Sequence, residues 1–184
     1  MTAIYIYEGK YEKGELGWPL VRMAAHSYLQ DYEDDVNRYE IEVDQWGKPF
    51  FPNLNIDFSI SHSGAMWICA FSGKPCGIDI QEKRKAKWES ISQRFYTLEE
   101  RSFVEEEGED GFYKVWVRKE ALGKLIGRGF HAPMPSLASK EGKLLNEIDL
   151  DGNPVYIKEI EISKDIFCAL ATYDSEDEVI RVIA

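Results

Sequence analysis

The sequence predicts an α+β fold. Strand-like runs cluster between residues 39 and 80, helical periodicity takes over between 88 and 126, and strand-like runs return from 135 to 183. Elements that come in blocks argue against a doubly wound parallel sheet, in which strands and helices alternate. The chain has 184 residues and 44% hydrophobic content, sufficient for one large core or two small fused ones.

Taken in order, Ala3 to Tyr7 is short, apolar and β-prone, and reads as a strand ending at Glu8-Gly9. From Pro19 to Tyr32, Leu20, Met23, Ala24, Ser27 and Tyr28 recur at helical spacing behind a proline suited to a first turn. Tyr39 to Val43 alternates, Trp46-Gly47-Lys48-Pro49 turns, and Ile56, Phe58 and Ile60 alternate again. Met66 to Phe71 and Cys76 to Ile80 are continuous apolar runs, and with the preceding strand they read as three strands of one sheet. Trp88 to Phe95 has helical spacing. Thr97-x-x-Glu100 forms a capping box for a helix over 97–107, and 111–126 is the longest helical run, stopped by Gly127. Further strands are expected near 135–138, 143–145, 155–162, 166–173 and 179–183, with Asp151-Gly152-Asn153-Pro154 as a turn. The two parts are expected to divide as 1–80 and 81–184 within one unit.

A net charge of −11 disfavours long-range attraction to nucleic acid or an anionic membrane, so a polyanionic ligand needs a local basic cluster. Cys69, Cys76 and Cys168 are odd in number and sit in apolar runs, which reads as packing in a reducing compartment. The opening residues lack a secretory pattern and no apolar run reaches the roughly 18 residues of a membrane helix; the expected location is the cytoplasm.

Asp79 interrupts the apolar run CGIDIQ, where an ionised carboxylate is costly unless a metal, a cation or several N–H donors compensate it. It either caps the following turn or, with Gln81 on the same strand face, offers oxygens to a metal. In WVRKEALGK, Glu120 and Lys124 share a helix face at i and i+4, either as a surface pair or as site residues. Ser61, His62 and Ser63 of FSISHSG crowd polar groups at a strand end, as a plain turn or as a phosphate- or base-binding edge. Lys83-Arg84-Lys85-Ala86-Lys87 places four cations in five positions, as a solvated helix entry or a docking patch.

WGKP, FSISHSG, GIDIQ and WVRKEALGK, in that order, resemble the motifs of the 4′-phosphopantetheinyl transferases, specifically the single-chain surfactin-synthetase-activating type. The resemblance spans Trp46 to about Gly127. It implies two pseudo-symmetric lobes, each a helix on a small, mainly antiparallel sheet, with coenzyme A in the cleft between them. It further implies Mg²⁺-dependent transfer of the phosphopantetheine arm to a serine of an apo acyl or peptidyl carrier protein, releasing adenosine 3′,5′-bisphosphate. By matching positions, Asp79, Glu120 and Gln81 would hold Mg²⁺, or Mn²⁺ in its place, and Glu120 would also accept the serine proton. Lys124 and Lys119 would steady the pyrophosphate, and Lys48, Ser61 and His62 would meet the nucleotide end. Glu100 falls where relatives often carry another acid.

The chain departs from the family pattern at Gln81, where many relatives have Glu, and in its short first part, where Arg22 is the obvious cation for the 3′-phosphate. These departures leave open a relative that binds coenzyme A or a carrier with weak or no catalysis. Lys83, Arg84, Lys85 and Lys87 would offer an acidic carrier a landing surface. Two fused lobes would let a monomer form the whole cleft.

Overall fold

The structure, a computed structural model, describes residues 1–7, 9–12, 17–30, 39–129, 133–176 and 178–183. Glu8 and Tyr32, expected at the ends of the first strand and first helix, lie outside them. Strand β1 (Ala3–Tyr7) is followed by helix α1 (Gly17–Leu29). Leu20, Val21, Ala24 and Ala25 form the buried stripe of α1, and Pro19 is tolerated because a first-turn N–H has no intrahelical acceptor. The alternation after Tyr39 yields only the two-residue strand β2 (Glu42–Val43). It pairs antiparallel with β3 (Pro49–Phe50) across the turn containing Gly47, which adopts the left-handed φ of 88°.

β4 (Asp57–Ser63) and β5 (Met66–Ser72) pair antiparallel, and β5 pairs with β1. The third run, β6 (Cys76–Glu82), does not join them. It is the edge of a second sheet, ordered β6-β9-β8-β7, formed with β7 (Glu147–Leu150), β8 (Asn153–Glu159) and β9 (Ile166–Thr172). The expectation of one sheet for all three is therefore corrected. Backbone amides of β6 that face β4 bond to side chains there, while the β6 ladder itself runs to β9.

The alternation of each strand explains the layering. In β1 and β5, Ala3, Tyr5, Cys69 and Phe71 face α1, whereas Ile4, Ile68 and Ala70 face the second sheet. There they meet Ile78, Ile80, Cys168 and Leu170 in a dry inter-sheet core. Each such fully buried aliphatic side chain contributes about 1.5–3 kcal/mol relative to exposure. The opposite face of the second sheet, including Ala169 and Ala171, packs on Val117, Ala121, Leu122 and Leu125. The order is helix, sheet, sheet, helix, and the α+β prediction holds.

Helix α2 (Trp88–Phe95) leads to α3 (Leu98–Ile126). The capping box at Thr97 and Glu100 is present, and the helix ends at Gly127 in the left-handed conformation. The two helices expected over 97–107 and 111–126 are joined, with non-helical backbone only at Gly108. Gly77 is required where β6 meets α3: a Cβ there would lie 2.0 Å from the Ala121 carbonyl oxygen and 2.5 Å from the Leu125 nitrogen.

Of the tail segments, 135–138 and 143–145 form an isolated Ala138–Leu144 bridge rather than strands. β7 was not expected. The last strand, β10 (Val179–Ile183), leaves the second sheet and pairs parallel with β1 in the first, giving the order β10-β1-β5-β4. A cut after residue 80 falls inside β6. No helix among the described residues is long and apolar enough to cross a membrane.

Candidate active site

Asp79 lies on the β6 face turned toward α3, on the opposite side from Ile78 and Ile80 in the inter-sheet core. It is 7% exposed, so its charge needs compensation from nearby donors. Two groups supply it at the same oxygen. Lys124 Nζ approaches Asp79 Oδ1 to 2.7 Å, and the Ser61 hydroxyl donates to Oδ1 at 2.7 Å. Lys124 also donates to the carbonyls of Ile78 at 2.9 Å and Ile60 at 3.1 Å, which commits its three ammonium protons.

Glu120, one turn before Lys124, is half-buried and has no hydrogen-bond or ion-pair partner among the described residues. Burial, then the charge of Asp79, raises its pKa above the ordinary glutamate range, and Lys124 opposes this. Gln81 uses its amide nitrogen on Ser63 Oγ and on the Glu82 carbonyl, both at 3.0 Å. Its carbonyl oxygen is the end left over.

Two clefts flank this centre. One, of about 250 Å³, includes Trp46, Lys48, Pro49, Lys124, Gly127 and Gly129 in its lining. Arg128 sits over the Trp46 ring at 5.5 Å. Lys48 Nζ pairs with Asp57 at 2.8 Å and reaches the Cys76 carbonyl at 3.5 Å, leaving donor capacity toward the cleft. The other, of about 330 Å³, is formed by Tyr11, His62, Ser63, Gly64, Gln81 and Arg84, with His62 exposed and packed on Tyr11 at 5.1 Å. A larger depression of about 910 Å³ along Lys114, Val117 and residues 159–168 has none of the sequence-predicted site residues in its lining.

The structure thus brings Asp79, Ser61 and Lys124 into direct contact and sets Glu120 within electrostatic reach. Lys48 shares a cleft with Lys124, and His62 shares one with Gln81. Three residues do not join them. Lys119, expected at the pyrophosphate, is 4% exposed and binds both oxygens of the fully buried Glu100 at 3.1 Å. Neighbours on a helix point about 100° apart, so Lys119 turns inward when Glu120 faces the cleft. Glu100 also accepts from the backbone of Thr97 and Leu137, so both of its oxygens are engaged inside the fold. Arg22, expected at the 3′-phosphate, donates from α1 to the Tyr39 carbonyl at 3.0 Å and belongs to neither cleft lining.

The sequence reading gave no role to Asp57, nor to Ser59, Trp46 and Pro49, which it quoted only within FSISHSG and WGKP. The signal for the first two was present: Asp57, Ser59, Ser61 and Ser63 recur with period two, so β4 carries a polar face opposite Phe58 and Ile60.

Residues 75–176 match the family described as the 4′-phosphopantetheinyl transferase superfamily. The chain is 34% identical over 155 residues to the 4′-phosphopantetheinyl transferase Sfp of Bacillus subtilis (strain 168), covering 80% of this chain and 67% of that protein. It is 32% identical over 171 residues to a further 4′-phosphopantetheinyl transferase of Bacillus subtilis, covering 89% and 69%. Similarity to the 4′-phosphopantetheinyl transferase gsp of Aneurinibacillus migulanus is 32% over 96 residues, covering 50% and 40%.

Proposed function

The chain belongs to the 4′-phosphopantetheinyl transferase superfamily, and from that membership we propose that it moves the phosphopantetheine arm of coenzyme A onto a serine of an apo acyl or peptidyl carrier protein. The observation that carries this reading is the convergence of Asp79, Lys124 and Ser61 beside a half-buried Glu120.

The donor set fits a divalent cation. Asp79 and Glu120 together outweigh the charge of Lys124, and Asp79 Oδ2, Glu120 and the Gln81 carbonyl oxygen are the atoms not already engaged among the described residues. Mg²⁺ usually takes one or two protein carboxylates and keeps the rest of its shell for water and phosphate, so this set is sufficient. Bound there, Mg²⁺ would neutralise charge on the coenzyme A pyrophosphate.

In the proposed reaction the serine oxygen attacks the phosphorus that bears the pantetheine arm. The phosphorus–oxygen bond to the nucleotide half breaks, and adenosine 3′,5′-bisphosphate leaves. Glu120, one turn before Lys124 and beside Asp79, takes the serine proton. Lys124, its protons committed, acts as a fixed positive charge beneath the developing negative charge. Lys48 retains donor capacity for the nucleotide. We assign the cleft of Trp46, Lys48 and Pro49 to the base and that of His62, Gln81 and Arg84 to phosphate oxygens.

Two further parts of the reading concern surroundings. Two lobes in one chain supply both walls of the cleft, which supports a monomer. Cys69, Cys76 and Cys168 are buried free thiols, which supports a reducing, cytoplasmic setting.

The test is the intact mass of an apo carrier protein after incubation with this protein, coenzyme A and Mg²⁺, beside Glu120→Gln and a metal-free control. A gain of one phosphopantetheine arm, lost in both controls, supports the transferase and its metal dependence. Binding of coenzyme A without any gain across several carriers favours a binding-only relative.

A further inference from the structure

We propose that Ser61 and Ser63 are positioning residues for the cation site, a role that rests on the reading just given. β4 presents Asp57, Ser59, Ser61 and Ser63 to the backbone N–H groups of Cys76, Ile78, Ile80 and Glu82, each 19 residues further on. The four bonds, between 2.8 and 3.3 Å, form a side-chain ladder that joins the edges of the two sheets.

Two of the serine rungs do more than join the sheets. Ser61 accepts from Ile80 N at 3.3 Å and spends its single hydroxyl proton on Asp79 Oδ1 at 2.7 Å, a charge-assisted bond. With Lys124 on the same oxygen, the carboxylate is fixed and Oδ2 is left for a cation. Ser63 accepts from Glu82 N at 2.9 Å and from Gln81 Nε2 at 3.0 Å, which aims the Gln81 carbonyl oxygen away from the ladder. One strand of the first sheet thereby orients both strand-borne cation donors of the second. Ser59 binds Ile78 N at 3.0 Å and touches neither donor, so it performs the joining role alone. Ser61 itself is 8% exposed with its proton committed, an environment suited to holding Asp79 rather than to contacting the nucleotide.

The experiment measures Mn²⁺ affinity by the loss of the free-ion electron paramagnetic resonance signal, at saturating coenzyme A, for wild type, Ser59→Ala, Ser61→Ala and Ser63→Ala. Removing an outer partner of a ligating carboxylate weakens metal binding by about 10–100-fold. Ser61→Ala is expected in that range, Ser63→Ala weakens binding less because Gln81 is neutral, and Ser59→Ala binds as wild type. Coenzyme A affinity without metal stays unchanged in Ser61→Ala. Where thermal melting shows Ser61→Ala unfolded, Ser61→Cys, of similar shape with a weak donor, is measured in its place with the same expected direction. Wild-type Mn²⁺ affinity in the folded Ser61 variant overturns the positioning role, as does a loss of metal-free coenzyme A affinity in its place. Failure of wild type itself to bind Mn²⁺ overturns the cation reading, a result distinct from equal binding by every variant.

Discussion

Lys124 Nζ lies 2.7 Å from Asp79 Oδ1, which ties α3 to the edge strand of the second sheet. The same ammonium reaches the Ile60 carbonyl on β4, so one side chain spans helix and both sheets. Lys124→Met takes a donor from the Ile60 and Ile78 carbonyls and the cationic partner from Asp79, whose Oδ1 keeps the Ser61 hydroxyl. The expected result is a loss of about 1–3 kcal/mol of stability per acceptor left dry, with water recovering part of it. Urea unfolding and the transfer rate should fall together; a slow enzyme of unchanged stability would remove the tethering role.

Glu120→Gln separates catalysis from stability. General-base contributions are about 10²–10⁴-fold, and transfer should fall by that order. Because burial and Asp79 raise the folded-state pKa of Glu120, the native protein holds this proton more tightly than the unfolded chain. Native stability is therefore lost as pH rises from the ordinary glutamate value through the raised one. In metal-free melts the variant should gain on wild type across that interval, with the two converging at lower pH.

Lys119→Met tests the inward placement of its ammonium. Removing one member of a buried pair costs about 3–5 kcal/mol because the other charge is stranded. Chemical denaturation should show that loss, and the double variant Glu100→Gln/Lys119→Met should recover much of it. The KM for coenzyme A should be unchanged in the protein that remains folded.

Gly77→Ala should be among the most damaging small substitutions. The new methyl would meet helix backbone, which cannot rotate away as a side chain can. Overpacking costs about 1–3 kcal/mol or more. A crystal structure of the variant should show α3 displaced from β6, with Lys124 drawn away from Asp79 and transfer impaired beyond the loss of folded protein.

Within the basic run after β6, Lys83 is already paired with Glu109 and Asp110, while Arg84, Lys85 and Lys87 are exposed. The double reversal Lys85→Glu/Lys87→Glu should raise the carrier KM and leave coenzyme A affinity alone. An unchanged KM would exclude this surface from carrier docking.

The sequence carried the local patterns well. Asp79 between Ile78 and Ile80 already stated that one β6 face is apolar and the other is not, and the Glu120–Lys124 spacing put both on one side of α3. Partnership between distant elements was another matter. Lys119 looks equivalent to Lys124 until Glu100, 19 residues away, is folded beneath it. β6 follows β5 so closely that pairing in one sheet is the natural reading, and only its β9 ladder moves it to the other. Ser61 and Ser63 read as a turn or as a ligand-binding edge, and their bonds to β6 stay hidden because they lie on a strand that backbone pairing never joins to β4.

The parallel pairing of β10 with β1 sets the order in which this molecule can be built. Arg181 reaches the Tyr5 hydroxyl at 3.1 Å across 176 residues of chain. During synthesis β1 must wait, one hydrogen-bonding edge bare, while the entire second sheet and the long helix are delivered. Such long-range closure slows folding, and it ties the first sheet to a strand that follows the whole second sheet. A protease that clips before Val179 would strike at the edge of the first sheet opposite β4, yet leave β1 an open edge, prone to join another molecule.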